Sequence, residues 1–153
     1  MDEMETTKRA ELAIDKLGLP RPKRPAEAVS SLDWPNNVGD LSSDQLAEHM
    51  TWWTGWSGYA RYHLARSETN SEALKAEYKM RFNEALTKYG ASYKSVTEAK
   101  SYVENMPDLL RVKVKIEEAD AIKRQVKALL EGYDAKYTVV SREISRRKAD
   151  MDD

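Results

Sequence analysis

The sequence predicts an all-α protein, an elongated antiparallel helical hairpin or coiled coil with a short helix between its two long arms. Charged residues make up 33% of the chain and hydrophobic residues 41%, with only five prolines and six glycines. That composition is typical of long, surface-exposed helices. Apolar residues also recur at intervals of three and four along two long segments, which is the helical period.

The first 40 residues predict an arm ahead of the helical domain. Residues 3–17 carry a weak apolar face that favours a short helix. The prolines of the following PRPKRP motif, residues 20–25, forbid a continuing helix and favour an extended, flexible chain. Trp34 is a lone tryptophan in this polar linker, so we expect it to pack against the main body and hold the arm there.

The first long helix is predicted to begin near Ser42 and to end near Tyr89, ahead of Gly90. Ser42 and Gln45 have the spacing of a capping box, in which each side chain caps the backbone of the other. The residues of Thr69-Asn70-Ser71 compete with a helix for backbone hydrogen bonds. They leave two alternatives, a continuous helix or a break at this point.

The N-terminal part of this helix carries two apolar stripes, whereas packing against one neighbour requires only one. One stripe consists of Leu46, Met50, Trp53, Ala60 and Leu64. The second consists of Trp52, Trp56, Tyr59 and His63, and lies about 100° further round the helix. We expect the first to face the last helix, and Trp52, Trp56 and Tyr59 to form an oligomer interface.

Two glycines interrupt the aromatic segment at a cost of about 1 kcal/mol each in a helix interior. Gly55 and Gly58 either permit a close approach by another helix or mark a local break.

Ser95 and Glu98 have capping-box spacing and predict a short helix through Val103. The last helix is predicted over residues 108–148, with a heptad-like apolar stripe sustained over four to five heptads, and an acidic tail follows at 150–153. Residues 41–149 thus form the predicted helical domain for oligomerisation and nucleic-acid binding. A helix of 40 residues is about 60 Å long and buries little core, so we expect a homo-oligomer.

The composition excludes several chemistries. The chain has no cysteine, so disulfides, thiol catalysis and cysteine-ligated zinc are excluded. His49 and His63 are two heptads apart, about 21 Å along a helix, which is too far to share a metal ion. No phosphate-binding loop or nucleophile motif is present. We therefore expect no enzyme, no cofactor and no metal, and, without a membrane span or signal peptide, a cytoplasmic protein.

A basic segment between the long helices is the best candidate for nucleic-acid binding, although the net charge is only −1. Its basic residues are Lys75, Lys79, Arg81, Lys88, Lys94 and Lys100. Tyr78, Phe82, Tyr89 and Tyr93 are interleaved with them, so that a phosphate backbone could follow the cations while bases stack on the rings. The alternative is an ordinary solvated helix face, diluted by acidic residues.

From about Leu46 to Arg147 the chain resembles the UvsY-type recombination mediators encoded by bacteriophages. The resemblance rests on the order and spacing of several segments: YARYHLARSE in the aromatic helix, the Lys79-Met80-Arg81 step before Tyr89-Gly90, AKSYVENMPDLLRVKVKIEEA, and LLEGYDAKYTVVSREISRR in the last helix. It covers about two-thirds of the chain, and the arm before Asp40 departs from it.

The resemblance implies a ring-forming protein without catalytic activity that binds single-stranded DNA. It implies that the protein helps a RecA-like recombinase to replace single-strand-binding protein. Lys79 and Arg81 would contact phosphates, supported by Lys75 and Lys88. The oligomer would use the apolar face of the last helix, including Leu130, Tyr137, Val140 and Ile144. The alternative function is a phage helical scaffold or adaptor that binds only proteins.

Overall fold

The computed structural model describes residues 3–26 and 32–152, and these residues confirm the all-α prediction. Within these ranges, four α-helices follow one another: α1 (Glu3–Lys16), α2 (Ser43–Tyr89), α3 (Val96–Glu104) and α4 (Pro107–Asp152). Single 3₁₀ turns at Val38–Asp40 and Gly90–Ser92 precede α2 and α3. No β-strand occurs in the described ranges.

The predicted capping residues determine where the helices begin. The Ser42 N–H donates to Gln45 Oε1 at 2.9 Å, and the Gln45 N–H donates to Ser42 Oγ at 3.2 Å, so both halves of the capping box form. At α3, Ser95 Oγ accepts from the Glu98 N–H at 3.1 Å. Both helix starts therefore lie where the local sequence predicts them.

Helix α2 continues without a break through residues 69–71, which decides between the two alternatives. The Thr69 hydroxyl donates to the Ala65 carbonyl one turn earlier, at 3.0 Å. The Ser71 hydroxyl donates to Asp120 Oδ1 at 2.6 Å. Because these polar side chains bond elsewhere, they do not compete for the backbone N–H groups that keep the helix intact.

Helix α4 extends beyond the predicted end at residue 148 and reaches Asp152. Arg146 Nη1 lies 2.8 Å from Asp150 Oδ2, an ion pair of i,i+4 spacing that supports the last turn. The predicted acidic tail is therefore helical as far as the structure describes it, and Asp153 lies outside the described residues.

The chain divides into two compact units, one comprising residues 1–19 and 65–124 and the other residues 20–64 and 125–153. The predicted arm contributes to both, since α1 belongs to the first unit and the chain from Pro20 to the second. The domain boundaries predicted from the sequence stay predictions.

In the first unit, α2 and α4 run antiparallel around a small core. The fully buried side chains include Leu74 on α2, Val103 on α3 and Leu109 on α4. The bond between Ser71 and Asp120 joins the two long helices, and Lys75 Nζ lies 3.6 Å from the same carboxylate. Glu11 of α1 forms an ion pair with Arg66 at 2.7 Å, so α1 is fastened to α2.

In the second unit the aromatic part of α2 packs on the C-terminal part of α4. Leu46, Trp53 and Val140 are buried, and Trp53 stacks on Tyr133 with ring centroids 5.9 Å apart. At the start of α2, Arg147 donates to the carbonyls of Gly39 and Leu41 at 3.1 and 2.6 Å. The predicted first apolar stripe of α2 thus faces the last helix.

Candidate nucleic-acid interface and tryptophan groove

Three tyrosines gather where α2 ends and α3 follows, and we call them the tyrosine cluster. Tyr89 is the last residue of α2, Tyr93 follows the 3₁₀ turn, and Tyr102 lies on α3. The rings of Tyr93 and Tyr102 are 5.1 Å apart and tilted, and those of Tyr89 and Tyr102 are 5.8 Å apart, edge to face. Tyr102 remains 44% exposed, so the cluster presents aromatic surface to solvent.

Basic groups accompany the tyrosine cluster. Lys88 Nζ lies 5.2 Å from the centroid of the Tyr89 ring, within the range of a cation–π contact. Lys94 follows Tyr93 directly and is exposed, as is Lys100. Burial raises the pKa of the Tyr93 phenol, with the Tyr102 phenol as a second cause. Tyr93 is thus neutral at physiological pH and adds no charge that would repel phosphate.

A depression of about 330 Å³ adjoins the tyrosine cluster. Arg81, Glu84, Lys88 and Tyr89 line it from α2, and Asp108 lines it from the first turn of α4. Its rim carries both signs of charge, because the carboxylates of Glu84 and Asp108 share the depression with the two cations. Glu84 lies one helical turn before Lys88, so the depression itself is not a uniformly positive site for phosphate.

The predicted basic residues do not form a single surface on α2. Each residue turns a helix by about 100°, so Lys79 and Arg81 point about 160° apart. Lys75 and Lys79 share one side of the helix because they are four residues apart. Arg81 and Lys88 are seven apart and share the other side. The structure therefore separates the two residues that the resemblance assigns jointly to phosphate binding.

Two of the predicted cations already form ion pairs with carboxylates of the same chain. Lys75 Nζ lies 3.6 Å from both Glu72 and Asp120, and Arg81 lies 2.6 Å from Glu77. The Ser71 hydroxyl, with Lys75 and Lys123 as weaker causes, lowers the pKa of the Asp120 carboxyl, so this counter-charge is permanent near neutral pH.

Four predicted cations have no such partner. Lys79, Lys88, Lys94 and Lys100 form no ion pair with any residue in the described ranges, and all four are exposed. Of these, Lys88 and Lys94 adjoin residues of the tyrosine cluster. Tyr102 is the member of the site that the sequence analysis missed, because its contact with Tyr89 and Tyr93 depends on how α3 folds back.

The second aromatic stripe of α2 forms a ladder of edge-to-face contacts. The Trp52 and Trp56 rings are 5.8 Å apart, and those of Trp56 and Tyr59 are 6.1 Å apart. Tyr133 of α4 lies 6.0 Å from Trp56 on the other side. All three predicted interface residues of this stripe are half-buried within their own chain.

The proline-rich arm lies against this stripe. A Cβ atom added at Gly55 would lie 3.2 Å from Cγ of Pro25, so the glycine allows the proline ring to approach the helix backbone. The guanidinium of Arg24 lies 5.9 Å from the centroid of the Trp56 ring. We call the surface of α2 formed by Trp52, Gly55 and Trp56 the tryptophan groove. At Gly58, by contrast, no atom of the described residues lies within 4 Å of an added Cβ.

Trp34 docks the next part of the arm, as the sequence predicts. Its ring lies edge-on to His49 at 6.0 Å and to Trp53 at 6.2 Å. Lys136 Nζ lies 4.2 Å from the Trp53 centroid. His49 is buried, and its Nδ1 accepts a hydrogen bond from Trp53 Nε1 at 3.3 Å. Burial lowers the pKa of His49, opposed by the charge of Glu48, so the imidazole is neutral and can accept this bond.

The four residues of α4 predicted to serve an oligomer differ in accessibility. Leu130 and Val140 are buried in the second unit, and Ile144 is half-buried. Tyr137 is 38% exposed. Of these four, Tyr137 is the residue with the most surface accessible to another molecule while the helix pair stays closed.

Comparisons with family models, curated proteins and solved structures return no match. Across residues 3–26 and 32–152, no three His, Cys, Asp or Glu side chains are placed to hold a metal ion. No helix in these ranges combines the length and apolarity that a bilayer crossing requires. What the chain can do must therefore be inferred from its own surfaces.

Proposed function

We propose that this chain is a non-enzymatic protein that binds single-stranded DNA through the tyrosine cluster and the lysines beside it. The observation that carries the proposal is the combination of an exposed tyrosine group with Lys88 and Lys94, neither of which has an ion-pair partner among the described residues. Single strands are commonly held by aromatic side chains that stack bases beside cations that follow the phosphates.

The chemistry of each side chain indicates whether it would contact a base or a phosphate of the DNA strand. A base stacked on the exposed Tyr102 ring contributes about 1–3 kcal/mol and requires no particular base. Lys88 and Lys94 neutralise adjacent phosphates and release counterions, which adds affinity that falls with salt. Lys79 lies on the other side of α2 and would serve only a strand that wraps around the helix.

A pair of matched double variants tests this assignment. Lys88→Ala/Lys94→Ala removes two cations beside the tyrosine cluster, whereas Lys113→Ala/Lys127→Ala removes two exposed cations of α4 that also lack described ion-pair partners. Anisotropy of a labelled oligonucleotide measures the dissociation constant over a range of salt. We expect only the first variant to flatten the slope of log K against log salt, by about 1.4 for two phosphate contacts.

Equal losses in the two double variants would indicate a general charge effect and contradict the assigned site. Absence of binding by the natural chain at low salt would contradict DNA binding altogether.

We further propose that the DNA-bound protein acts as a recombination mediator and works as a homo-oligomer. The resemblance to UvsY-type proteins supports this step, and the unpaired lysines support the DNA contact that it requires. The test is the ATPase rate of a RecA-like recombinase on single strands coated with single-strand-binding protein. Addition of this chain should shorten the lag before ATP hydrolysis, and Lys88→Ala/Lys94→Ala should restore it. An unchanged lag would contradict mediation while leaving DNA binding intact.

A protein-binding scaffold or adaptor is the second candidate function, favoured by apolar side chains on the surface of α4. Leu110, Val114 and Ile122 are 43%, 54% and 55% exposed, and each lies within about one-third of a turn of the next on the helix. For a scaffold, Trp56→Ala would abolish association while Lys88→Ala/Lys94→Ala had no effect on it. Oligonucleotide binding would support the first function, whereas protein association without oligonucleotide binding would support the scaffold.

A further inference from the structure

The depression beside the tyrosine cluster has a lining that suits a neutral base better than a phosphate. Its volume of about 330 Å³ lies at the lower end of the range for small-molecule sites. Tyr89 belongs to both the depression and the tyrosine cluster, so a strand held at the cluster would lie beside the depression. Met106 and Leu109 line it with apolar surface, against which the face of a base can pack.

Glu84 provides an acceptor without a partner at the rim of the depression. It lies one turn from both Arg81 and Lys88 on the same side of α2, yet it forms no ion pair with any described residue. Arg81 Nη2 lies 2.6 Å from Glu77 Oε1 instead, and the Lys88 ammonium lies over the Tyr89 ring. The Glu84 carboxylate is therefore available to the N–H groups of a ligand, whereas it would repel a phosphate.

Asp108 and Arg81, which also line the depression, differ in what they can still bind. Asp108 Oδ1 already lies 3.2 Å from Arg111 Nη1, and its place in the first turn of α4 suits a negative charge. Arg81 retains donors, because a guanidinium has five N–H groups and the contact with Glu77 uses Nη2. The depression thus combines a free carboxylate with a guanidinium that can donate further hydrogen bonds.

Guanine is the base whose hydrogen-bonding groups match this pair of side chains. Its N1–H and N2–H groups are adjacent donors, which the two oxygens of one carboxylate can accept together. Its O6 lies beside N1 and is an acceptor that arginine commonly binds. Adenine, cytosine and thymine each present a single donor group on the same edge, next to acceptors that a carboxylate repels. The set of groups in the depression therefore favours guanine over the other three bases.

We propose that the depression is a guanine-binding site, in which Glu84 accepts from N1–H and N2–H and Arg81 donates to O6. This assignment rests on the proposed binding of single-stranded DNA and specifies a base for it. The strand would place one base on Tyr102 without selection and a neighbouring guanine in the depression. Because a base carries no charge, its contacts release no counterions, and the preference for guanine should stay constant while salt weakens the binding of every strand.

Strands that differ by one amino group test the proposal with the full-length chain. Labelled oligonucleotides of about 12 nucleotides carry thymine except at every third position, which holds guanine, hypoxanthine or thymine. Hypoxanthine is also a purine and keeps the N1–H, O6 and N7 of guanine, but it lacks the N2 amino group. We expect anisotropy to show the guanine strand bound about fivefold more tightly than the hypoxanthine strand, the lower limit for one bidentate base contact.

Two matched variants assign the preference to Glu84. Glu84→Gln should bring the ratio of guanine to hypoxanthine affinity close to unity, because one amide oxygen replaces two carboxylate oxygens. Glu118→Gln makes the same charge change at an exposed position of α4 without a described partner, and it should keep the ratio of the natural chain.

The outcomes separate this site from DNA binding itself. A ratio near unity in the natural chain, or a ratio that Glu84→Gln retains, would overturn the guanine site, while binding of the thymine strand would leave the proposed function intact. Absence of binding by all three strands would overturn both.

Discussion

The two glycines of the aromatic helix provide a matched pair of substitutions, because the arm touches only one of them. Gly55→Ala and Gly58→Ala each introduce the same methyl group into the interior of α2, three residues apart. Alanine in a helix interior is favoured over glycine by about 1 kcal/mol. Any difference between the two variants therefore reports the surroundings of the new methyl group.

The structure places the two added methyl groups in different surroundings, one open and one crowded. At Gly58 no atom of the described residues lies within 4 Å of the added Cβ, so the full gain of about 1 kcal/mol in unfolding free energy is expected. At Gly55 the new methyl would lie 3.2 Å from Cγ of Pro25, closer than ordinary van der Waals contact, and 3.7 Å from its Cβ. Overpacking of this kind costs about 1–3 kcal/mol, which offsets or exceeds the helical gain.

Urea unfolding followed by helical circular dichroism measures both variants against the natural chain. We expect Gly58→Ala to be more stable than Gly55→Ala by at least about 1 kcal/mol, or about 2–4 °C in Tm for a chain of this size. Deleting the arm contact by Pro25→Ala should remove the difference. Equal gains at both glycines in the natural background would refute the close approach of Pro25 to α2.

Four further predictions concern base stacking, the core and two titrating groups. Tyr102→Leu should weaken oligonucleotide binding by about 1–3 kcal/mol while leaving the salt slope unchanged, as measured by anisotropy. Leu74→Ala, at a fully buried position, should lower the unfolding free energy by about 2–5 kcal/mol in urea, whereas Leu129→Ala at a 55% exposed position should change it little. The pKa of His49 is lower in the folded chain than in the unfolded chain, so the unfolded chain takes up the proton at a higher pH. The free energy of unfolding should therefore fall as pH drops below about 6.5 and level off below the pKa of the folded chain. This pH dependence should be absent from His49→Gln. Hydrogen bonds from Arg146 and Arg147 lower the pKa of Glu143 from 4.5 to about 2. The carboxylate therefore stabilises the folded chain fully above pH 4.5, and this contribution is lost as pH falls towards 2. Acid unfolding of Glu143→Gln should lack this contribution.

The features that local chemistry controls could be predicted from the sequence. Ser42 and Ser95 cap their helices through residues three positions away, so their effect requires no tertiary structure. The stripe that includes Leu46 and Trp53 faces α4 because helical periodicity decides which side chains share a face. Trp34 was likewise predictable as an anchor, although its partners were not.

The features that depend on packing could not be predicted. The Ser71 hydroxyl donates to Asp120, which lies far along the chain, so the local sequence could not indicate that this side chain has a partner outside α2. By contrast, the joint role of Lys79 and Arg81 came from the resemblance, and the helical period alone places these two residues on opposite sides of α2. The contact between Pro25 and Gly55 distinguishes two glycines that look equivalent in the sequence.

The central claim is that the tyrosine cluster and its lysines hold single-stranded DNA. It is tested most directly by the affinity of the full chain for a labelled single-stranded oligonucleotide, titrated with salt and compared with Lys88→Ala/Lys94→Ala. We predict measurable binding at low salt, with a slope that flattens by about 1.4 in the double variant. No binding at low salt, or a slope identical in the two proteins, would contradict the claim.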